Sequence, residues 1–505
     1  MLEQTLLNSF NLTNFRPGQR EIIDAVLNKQ DALAVLPTGG GKSLCYQFPA
    51  VYLKQLIIVI SPLIALMKDQ VLALKQKGIA AGSLHSGQTE DDKRQIFSQI
   101  NMGGTYILYL SPERVQKDGF KIWIASRQIG LFAVDEAHCV SQWGHDFRAE
   151  YAELKVLKEL RPDVPILALT ASATPTVLDD VAKNLKLNKP QRLVHGFYRP
   201  NLYYQVEICT EEDHKVNWVM QAIKQFPLGR ILIYCGTRKI TESISAELQN
   251  KFSDVGFYHA GISSKERTET QENYAQGKLR ILVATNAFGM GIDQPDVRCV
   301  IHYQMPANID SLYQEMGRAG RDEKPSTCLM LYSKKDKGLQ SYFIQTSAAA
   351  KNIKDLRYRN LDALVAYSEA GECRHSEILT YYKDKNRIKA CGHCDVCDAK
   401  SSRKIQTPDF ISKKLKTITK KKIYSFTDGS ILTASEELRF KKLREWRKRK
   451  ATELDLPAFV IFGDKTLREL SQKNPQTLSD LTEIYGIGDQ KLEKFGKELL
   501  AELRS

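Results

Sequence analysis

A glycine-rich run that ends in lysine and serine gives this chain the residues needed to bind a nucleoside triphosphate. The run Pro37–Ser43 follows a short apolar stretch, Ala32–Leu36. Glycines allow backbone N–H groups to curl around phosphate oxygens at the start of a helix. The pattern commonly opens with glycine where this chain has Leu36, but the strand, loop and helix context favours a phosphate loop over an ordinary turn. Lys42 is expected at the β- and γ-phosphates and Ser43 at Mg²⁺. The residues predicted to line the nucleotide are Thr38, Gly39, Gly40, Gly41, Lys42 and Ser43.

An acidic pair, Asp135 and Glu136, follows the apolar run Leu131–Val134 and is therefore expected at the carboxyl end of a strand. Ligands of open α/β sheets bind at that end. Asp135 is expected to hold Mg²⁺, directly or through water, and Glu136 to orient or deprotonate the attacking water. A solvated acidic turn is the alternative, which the upstream phosphate loop disfavours. Together the two motifs predict an enzyme that hydrolyses a nucleoside triphosphate.

Two arginines farther along the chain could supply the cations that such a reaction uses. Arg318 and Arg321 are three residues apart, which predicts that they share one face of a helix. Cationic groups at the γ-phosphate stabilise the charge of the transition state. Arg321 is the expected arginine finger and Arg318 its partner. A surface salt-bridge face is the alternative for the pair taken alone.

Four of the ten cysteines are spaced as metal ligands. Cys391, Cys394 and Cys397 lie within seven residues, and Cys373 lies 18 residues before the first of them. Four thiolates suit tetrahedral Zn²⁺ in a closed structural site. An iron–sulfur cluster is the second interpretation, because such sites share the spacing of the last three cysteines. The nearby histidines that are expected not to bind the metal are His375 and His393.

The rest of the chain must supply strands and helices that hold these residues. Short β-rich apolar runs alternate with amphipathic stretches in two series, which predicts two α/β domains on doubly wound parallel sheets. Beyond about residue 340 the pattern becomes helical, and Thr433 to Glu436 form a capping box that opens a helix through Arg449. The strands predicted in the first series are Ala32–Leu36, Leu56–Ile60, Tyr106–Leu110, Leu131–Val134 and Ile166–Leu169. Those in the second are Ile231–Tyr234, Val255–Tyr258, Ile281–Ala284, Val297–Tyr303 and Cys328–Tyr332.

The net charge of +14 is concentrated in one stretch. Residues 400–450 contain 17 Lys and Arg against 5 Asp and Glu, a net charge of +12. A polyanion would be attracted most strongly there, although a solvated linker fits residues 400–425 equally well. No apolar run is long enough to span a membrane, and the first residues lack the basic and apolar regions of a signal peptide. A cytoplasmic or nucleoid location without a membrane partner is therefore expected.

These motifs occur in an order and among neighbours that resemble the RecQ family of DNA helicases. The aromatic-rich run from His138 to Arg148 is the most specific, because the Asp-Glu-Ala-His motif alone marks superfamily 2 broadly. The resemblance covers residues from about 10 to 398 and resumes near the C-terminus. The stretches that carry it are Phe15–Gln19, Thr38–Ser43, Ser61–Gln70, Asp135–Arg148, Leu169–Thr174, Ala284–Asp293 and Tyr313–Arg321.

The resemblance implies RecA-like folds for both α/β domains, zinc at the four cysteines, and further binding residues. Arg16 and Gln19 would read the adenine, although Leu12 stands where the family often has an aromatic residue that stacks on the base. Asp293 would lie at the nucleotide cleft between the domains. Aromatic faces stack on bases of any sequence, which suits a loop that senses single-stranded DNA. The residues implied in DNA contact are Asp69, Gln70, Trp143, His145, Phe147 and Arg148.

The stretch Leu438–Leu500 resembles an HRDC domain, for which auxiliary nucleic-acid binding is expected and protein binding is the alternative. Typical RecQ proteins carry a winged helix of roughly a hundred residues after the zinc site, the size of a small domain. Only residues 399–432 are available here, so a complete winged helix is expected to be missing. The expected domains are RecA-like at 1–199 and 200–340, helical zinc-binding at 341–398, basic linker or reduced winged helix at 399–432, and HRDC-like at 433–505.

These expectations combine into an ATP-dependent 3′→5′ DNA helicase with ATP, Mg²⁺ and Zn²⁺ as cofactors. Its polarity, and a place in DNA repair and recombination, are implied by the resemblance alone. The expected partners are single-stranded and partly duplex DNA, together with single-stranded-DNA-binding protein. Two alternatives stay open: an RNA helicase of the same superfamily, and a DNA-stimulated ATPase that acts as a binding or annealing switch without processive unwinding.

Overall fold

The computed structural model describes residues 2–85, 87–144, 146–289, 294–384, 386–409 and 432–504. The chain divides into two compact units. Unit 1 comprises Met1–Phe197, Gly289–Asp293 and Tyr382–Asn386, and unit 2 comprises Tyr198–Phe288, Gln294–Tyr381 and Arg387–Ser505. Within the described residues, no helix is both long enough and apolar enough to cross a membrane.

Unit 1 is built on a seven-stranded sheet in the described part of the chain. Its strands are β1 Ala32–Val35, β2 Leu56–Ile60, β3 Ala81–Leu84, β4 Tyr106–Leu110, β5 Ile129–Val134, β6 Ile166–Thr170 and β7 Gln191–Val194. All pair in parallel, in the order β3-β4-β2-β5-β6-β1-β7. The central strands are buried along their whole length, as expected when helices cover both faces of a parallel sheet.

The helices of unit 1 precede or connect these strands. They are α1 Leu2–Phe10, α2 Gln19–Leu27, α3 Leu44–Leu53, α4 Ile64–Gln76, α5 Glu90–Asn101, α6 Pro112–Val115, α7 Asp118–Ala125, α8 Ala149–Ala152, α9 Lys155–Leu160 and α10 Pro175–Asn184. A short 3₁₀ helix, Ala137–Val140, follows β5. Because β5, β6 and β1 are neighbours in the sheet, the loops at their carboxyl ends meet at one edge.

Unit 2 contains a second parallel sheet, with the order β10-β11-β9-β12-β13-β8. Its strands are β8 Leu202–Ile208, β9 Arg230–Tyr234, β10 Val255–Tyr258, β11 Ile281–Ala284, β12 Val297–His302 and β13 Ser326–Tyr332. The helices that follow or connect them are α11 Glu212–Gln225, α12 Arg238–Gln249, α13 Ser264–Ala275, α14 Ile309–Met316, α15 Lys334–Thr346, α16 Lys351–Glu369 and α17 Arg374–Tyr381.

Residues after the cysteine cluster pack against the edge of this second sheet. Ile405 is fully buried in the core of unit 2. The side-chain amide of Gln205, on β8, accepts a hydrogen bond from the Ile405 N–H at 2.8 Å and donates one to its carbonyl at 3.0 Å. The beginning of the segment 399–432 is therefore a built part of unit 2, whereas residues 410–431 lie outside the described residues.

The C-terminal domain, residues 433–504, is all helical in its described residues. Its helices are α18 Ala434–Glu453, α19 Ala458–Ile461, α20 Asp464–Lys473, α21 Leu478–Thr482 and α22 Asp489–Arg504. Thr433 and Glu436 form the predicted capping box at the start of α18. The domain has its own core, in which the rings of Trp446, Phe462 and Phe495 lie 5.7 to 6.1 Å apart.

The predicted fold class of two parallel-sheet α/β domains followed by helical segments is confirmed. All ten predicted strands are present, with ends shifted by at most two residues. Three strands, β3, β7 and β8, were absent from the prediction. The division into five domains stays a prediction, since the structure separates two compact units.

A buried ion pair fixes α11 to the start of α15 in unit 2. The Lys215 Nζ atom lies 3.0 and 2.9 Å from the two carboxylate oxygens of Asp336, and the side chains are 0% and 3% exposed. Asp336 also accepts a hydrogen bond from the Ser333 N–H at 3.0 Å. The pair therefore links two helices whose paired residues are 121 positions apart in the sequence.

We predict that Lys215→Met destabilises unit 2 by about 3–5 kcal/mol, because it leaves the Asp336 carboxylate buried without its cation. Denaturant unfolding followed by the fluorescence of Trp218, which is 4% exposed on α11, measures the effect. The double variant with Asp336→Leu should recover most of the loss, because it removes both charges. A single variant as stable as the wild type would contradict the prediction.

Candidate nucleotide, DNA and zinc sites

The predicted phosphate loop connects β1 to α3 in unit 1. Gly39 and Gly41 have backbone φ angles of +79° and +76°, values that L side chains rarely adopt. A Cβ atom at Gly41 would lie 2.4 Å from the Gln19 Nε2 atom, so the position requires glycine for space as well as conformation. The loop leads directly into α3, whose N-terminus follows Lys42 and Ser43. This is the arrangement in which backbone N–H groups bind phosphate.

Arg16 and Gln19 hold this loop through its carbonyl groups. The Gln19 side chain donates hydrogen bonds to the carbonyls of Gly40 at 3.2 Å and Gly41 at 3.0 Å. Its own carbonyl accepts from the Arg16 N–H at 2.8 Å, and the Arg16 guanidinium donates to the Gly39 carbonyl. Gln19 is 2% exposed. Both residues thus support the predicted phosphate loop, and the reading of adenine by them stays a prediction.

The carboxylate of Asp135 is buried at the end of β5. Asp135 is 8% exposed, and burial raises its pKa to about 7, with the negative charge of Glu136 as the second cause. The positive charge of Lys42 lowers the pKa of Asp135 and so opposes this rise, because it lies near the carboxylate. A cation beside such a carboxylate favours its ionised form. The Asp135 carboxylate therefore fits a hard divalent cation that takes oxygen ligands, and Ser43 as a second ligand stays a prediction.

Glu136 is held in an uncommon conformation beside His138. Its φ angle is +49°, in the left-handed region that non-glycine residues rarely occupy. The His138 Nδ1 atom lies 3.4 Å from the Glu136 Oε2 atom and 2.9 Å from the Thr170 hydroxyl oxygen at the end of β6. Within the described residues, Glu136 Oε2 is buried and accepts no hydrogen bond. This oxygen is therefore available to a water molecule at the site.

The aromatic-rich loop presents its rings to solvent. Trp143 is 41% exposed and Phe147 is 40% exposed. The loop is held at its base, where the Arg148 guanidinium lies 3.1 Å from an Asp146 carboxylate oxygen and the Arg148 N–H donates to the Cys139 carbonyl at 3.0 Å. Exposed rings on a fixed base can stack on nucleobases. His145 lies outside the described residues.

The other two predicted DNA residues lie on α4. The Gln70 side-chain carbonyl accepts a hydrogen bond from Gln47 at 2.8 Å, and Gln47 also donates to the Tyr109 hydroxyl at 3.3 Å. Gln70 is therefore tied to α3, the helix that follows the phosphate loop. Asp69 lies beside it on the exposed side of α4, and partial burial raises its pKa.

The predicted arginine pair belongs to unit 2, but the two residues do not share a helix face. Helix α14 ends at Met316, and Arg318 and Arg321 lie in the turns that follow. Gly320 has a φ angle of +55°, and a Cβ atom there would lie 2.5 Å from Asn201, so the helix cannot continue through it. Arg318 is 8% exposed, and its positive charge opposes the rise that burial causes in the pKa of Tyr234. Asp293 lies outside the described residues.

The four predicted cysteines come together in unit 2. The sulfur atoms of Cys373, Cys391, Cys394 and Cys397 all lie within 4.8 Å of one another. The Cys391 N–H donates to the Cys373 sulfur at 3.2 Å, and the His393 N–H donates to the Cys391 sulfur at 3.3 Å. Backbone N–H groups directed at sulfur stabilise thiolates, and four thiolates at this spacing fit a tetrahedral zinc ion.

The neighbouring histidines make other contacts. His393 places Nδ1 3.1 Å from the Leu202 carbonyl and Nε2 2.9 Å from the Tyr198 hydroxyl. His375 contacts the same carbonyl at 3.1 Å and stacks on Tyr204, with ring centroids 4.0 Å apart. Both rings therefore join the cysteine cluster to the start of β8.

Sequence reasoning missed the residues that connect these sites. Thr170 and His138 link the ends of β6 and β5, and Gln47 links α3 to α4. The buried pair of Arg374 and Asp395 joins the first cysteine ligand to the last three, with an Nε to Oδ1 distance of 3.0 Å. A cation directly after Cys373 and a carboxylate directly after Cys394 were the available signal.

Four family models match successive parts of the chain. A DEAD/DEAH box helicase model matches residues 16–181, and a helicase conserved C-terminal domain model matches residues 214–323. A RecQ zinc-binding model matches residues 334–398, which include all four cysteines, and an HRDC domain model matches residues 436–503.

Curated relatives match along the whole chain. The ATP-dependent DNA helicase RecQ of Haemophilus influenzae is 32% identical, over 98% of this chain and 94% of that protein. The protein of the same name from Bacillus subtilis is 32% identical, over 100% of this chain and 98% of that protein. The first alignment spans 594 positions, 89 more than the 505 residues of this chain. The relative therefore has residues within the aligned region that this chain lacks.

A solved structure supports the fold. The Mycobacterium smegmatis helicase Lhr, bound to single-stranded DNA and AMP-PNP, matches with a TM-score of 0.53 at 17% identity. The match covers 71% of this chain and 52% of that one. At this identity the likeness concerns the arrangement of strands and helices.

We predict that the purified protein carries about one zinc ion per chain and no iron, because four thiolates form one closed tetrahedral site. Cys394→Ser should reduce the zinc content to near zero, since three remaining thiolates bind the ion more weakly. Metal analysis by atomic emission measures both. Cys235→Ser, at a buried cysteine of the β-sheet core, is the matched control and should keep its zinc. Iron with inorganic sulfide in the wild type would contradict the prediction.

Proposed function

Since the chain belongs to the RecQ family of ATP-dependent DNA helicases, we propose that it moves 3′→5′ along single-stranded DNA and unwinds duplex DNA in repair and recombination. Its substrates are single-stranded and partly duplex DNA, met in the cytoplasm at the nucleoid. The polarity and the cellular process rest on the family resemblance. Single-stranded-DNA-binding protein is a proposed partner on the same ground.

The observation that carries the proposal is the short path between the acidic pair and the exposed rings. Glu136 and Phe147 are eleven residues apart, and His138 lies against both Glu136 and Thr170. Stacking of bases on Trp143 and Phe147 would order the loop, and the loop begins at His138. DNA binding can thus change the position of the residue that handles the attacking water. An ATPase without a nucleic-acid partner has no use for exposed rings at this place.

Each residue at the nucleotide has a proposed task in hydrolysis. Lys42 neutralises the β- and γ-phosphates, and Glu136 accepts a proton from the attacking water or orients it. Mg²⁺, held by Ser43 and Asp135, would supply charge neutralisation of the phosphates when it is bound. Arg318 and Arg321 are proposed to stabilise the charge of the γ-phosphate in the transition state. The proposed residues at the base are Arg16 and Gln19, with Asp293 at the nucleotide cleft.

A second function is favoured by the length of the chain. Only residues 399–432 separate the zinc-binding segment from the C-terminal domain, and the alignment with the Haemophilus influenzae relative contains positions that this chain lacks. If the missing residues are those of a strand-separating winged helix, the protein would hydrolyse ATP on DNA and switch its affinity without processive unwinding. The two functions share the ATP site. They differ in whether ATP hydrolysis unwinds duplex DNA or only changes the affinity for DNA.

We predict that the wild type unwinds a 3′-tailed duplex, does not unwind a 5′-tailed one, and loses the activity with Lys42→Ala. The lysine variant cannot neutralise the γ-phosphate and therefore cannot hydrolyse ATP. A strand-displacement assay with both substrates measures the outcome. ATP hydrolysis stimulated by DNA without any unwinding would contradict the helicase proposal.

Displacement of streptavidin from the end of a biotinylated single strand then separates a translocase from a stationary switch. Stimulation of ATP hydrolysis by RNA instead of DNA would favour an RNA helicase.

We predict that Trp143→Ala weakens binding to single-stranded DNA by roughly 5- to 150-fold, the range that corresponds to the loss of one base stacked on an aromatic ring. Fluorescence anisotropy of a labelled oligonucleotide measures the affinity. The control is Met102→Ala, which removes a side chain that is 77% exposed in the same unit and should bind like the wild type. Equal affinities for all three proteins would remove the aromatic loop from the DNA site.

A further inference from the structure

The C-terminal domain is packed against the segment that carries the first zinc ligand. The docking surface is formed by Tyr367 of α16, Glu372, and Glu377 and Tyr381 of α17. All of these residues and the C-terminal domain belong to unit 2. The contacts combine a buried ionic cluster with a group of aromatic side chains, and Glu372 lies directly before Cys373.

The ionic part of the contact centres on Glu372. Its Oε1 atom accepts hydrogen bonds from Arg444 at 3.0 Å and from Arg447 at 3.2 Å, both on α18. Arg447 is 0% exposed and is also 2.8 Å from an Asp464 carboxylate oxygen. Its guanidinium donates to the Phe462 carbonyl at 2.8 Å. An arginine this deeply buried requires its anionic partners, and one of the two comes from outside its own domain.

The aromatic part centres on Phe459 of α19. Phe459 is 1% exposed, and its ring centroid lies 5.9 Å from that of Tyr367 and 6.3 Å from that of Tyr381. The Phe459 N–H donates a hydrogen bond to the Glu377 carboxylate at 3.3 Å. Glu377 is 8% exposed. The Phe459 ring and the Glu377 carboxylate thus each contact groups on the opposite side of this surface.

The zinc ligand is joined to both parts through the backbone. Cys373 follows Glu372 directly, and α17 begins at Arg374 and carries Glu377 and Tyr381. The Glu377 N–H donates to the Cys373 carbonyl at 3.0 Å. Metal coordination would fix Cys373 against the three cysteines at 391–397. It would therefore fix the start of α17 and, with it, the surface that receives Phe459 and the arginines.

We propose that zinc binding positions the C-terminal domain, so that the domain is a docked part of unit 2 whose attachment depends on the metal. The alternative is a module connected by the chain alone, which keeps its contacts with or without the ion. The residues favour docking, because Arg447 would lose one of its two carboxylate partners, and Glu377 the N–H that donates to it, if the domain left the surface. The inference rests on the zinc assignment, which metal analysis tests independently.

Hydrogen exchange of the full-length protein, followed by mass spectrometry, tests the proposal at the contact itself. Peptides that cover residues 456–463 report on the Phe459 N–H that Glu377 accepts. Glu372→Ala should speed exchange in these peptides by about tenfold or more, since removing one partner of a buried ion pair strongly favours the open state. The zinc content of this variant should stay at the wild-type level. Removal of zinc from the wild type with a chelator should give the same increase.

Two controls separate release of the domain from general unfolding. Arg444→Ala removes a partner of Glu372 from the domain side, far from the metal in sequence, and should also speed exchange at residues 456–463. Asp355→Ala removes an exposed acidic group on α16 and should leave exchange unchanged. Exchange in peptides of β9 and β12 should be the same in all variants. Unchanged exchange at 456–463 in both Glu372→Ala and Arg444→Ala, or in zinc-depleted wild type, would overturn the proposal.

Discussion

Thr170, the last residue of β6, is the point on which the chemistry of unit 1 depends. Its carbonyl accepts a hydrogen bond from the Leu36 N–H at 3.1 Å, at the start of the phosphate loop. Its hydroxyl lies 2.9 Å from the His138 Nδ1 atom, next to Glu136. Because β6 lies between β1 and β5 in the parallel sheet, a single residue can touch both motifs. Thr170 therefore connects the start of the phosphate loop to the acidic pair and to the base of the aromatic loop.

The fold could be predicted from sequence wherever a strand is a run of large apolar residues. β2 and β4, Leu56–Ile60 and Tyr106–Leu110, were predicted to the residue. β3 contains alanine, glycine and serine, and β7 begins with two exposed polar residues, so neither has the composition of a buried strand. Tertiary packing alone makes them strands. A similar limit applies to the site. Local motifs predicted the residues that would bind the nucleotide and zinc, whereas the contacts of Thr170 with His138 and of Gln47 with Gln70 were seen only in the fold.

The arginine pair shows where a spacing argument fails. A separation of three residues places side chains on one face only while the helix continues. Helix α14 ends at Met316, and Gly320 adopts a conformation that a helix excludes. The positions of Arg318 and Arg321 are thus set by the turns that follow α14. The residue types indicated what chemistry the pair could do. The positions of the two side chains depend on the neighbouring residues and could not be predicted from their spacing.

The same distinction applies to the basic stretch 400–450, whose net charge of +12 predicted the strongest attraction for a polyanion. Several of its cations have partners within the protein. Arg444 and Arg447 bind Glu372, and Lys450 lies 2.8 and 2.9 Å from Glu453 and Glu498. Charges held in such pairs release few counterions on DNA, so they contribute little to affinity. Net charge therefore overstates how many cations of α18 are left for a polyanion, and Arg444 and Arg447 instead hold the C-terminal domain against the zinc-binding segment.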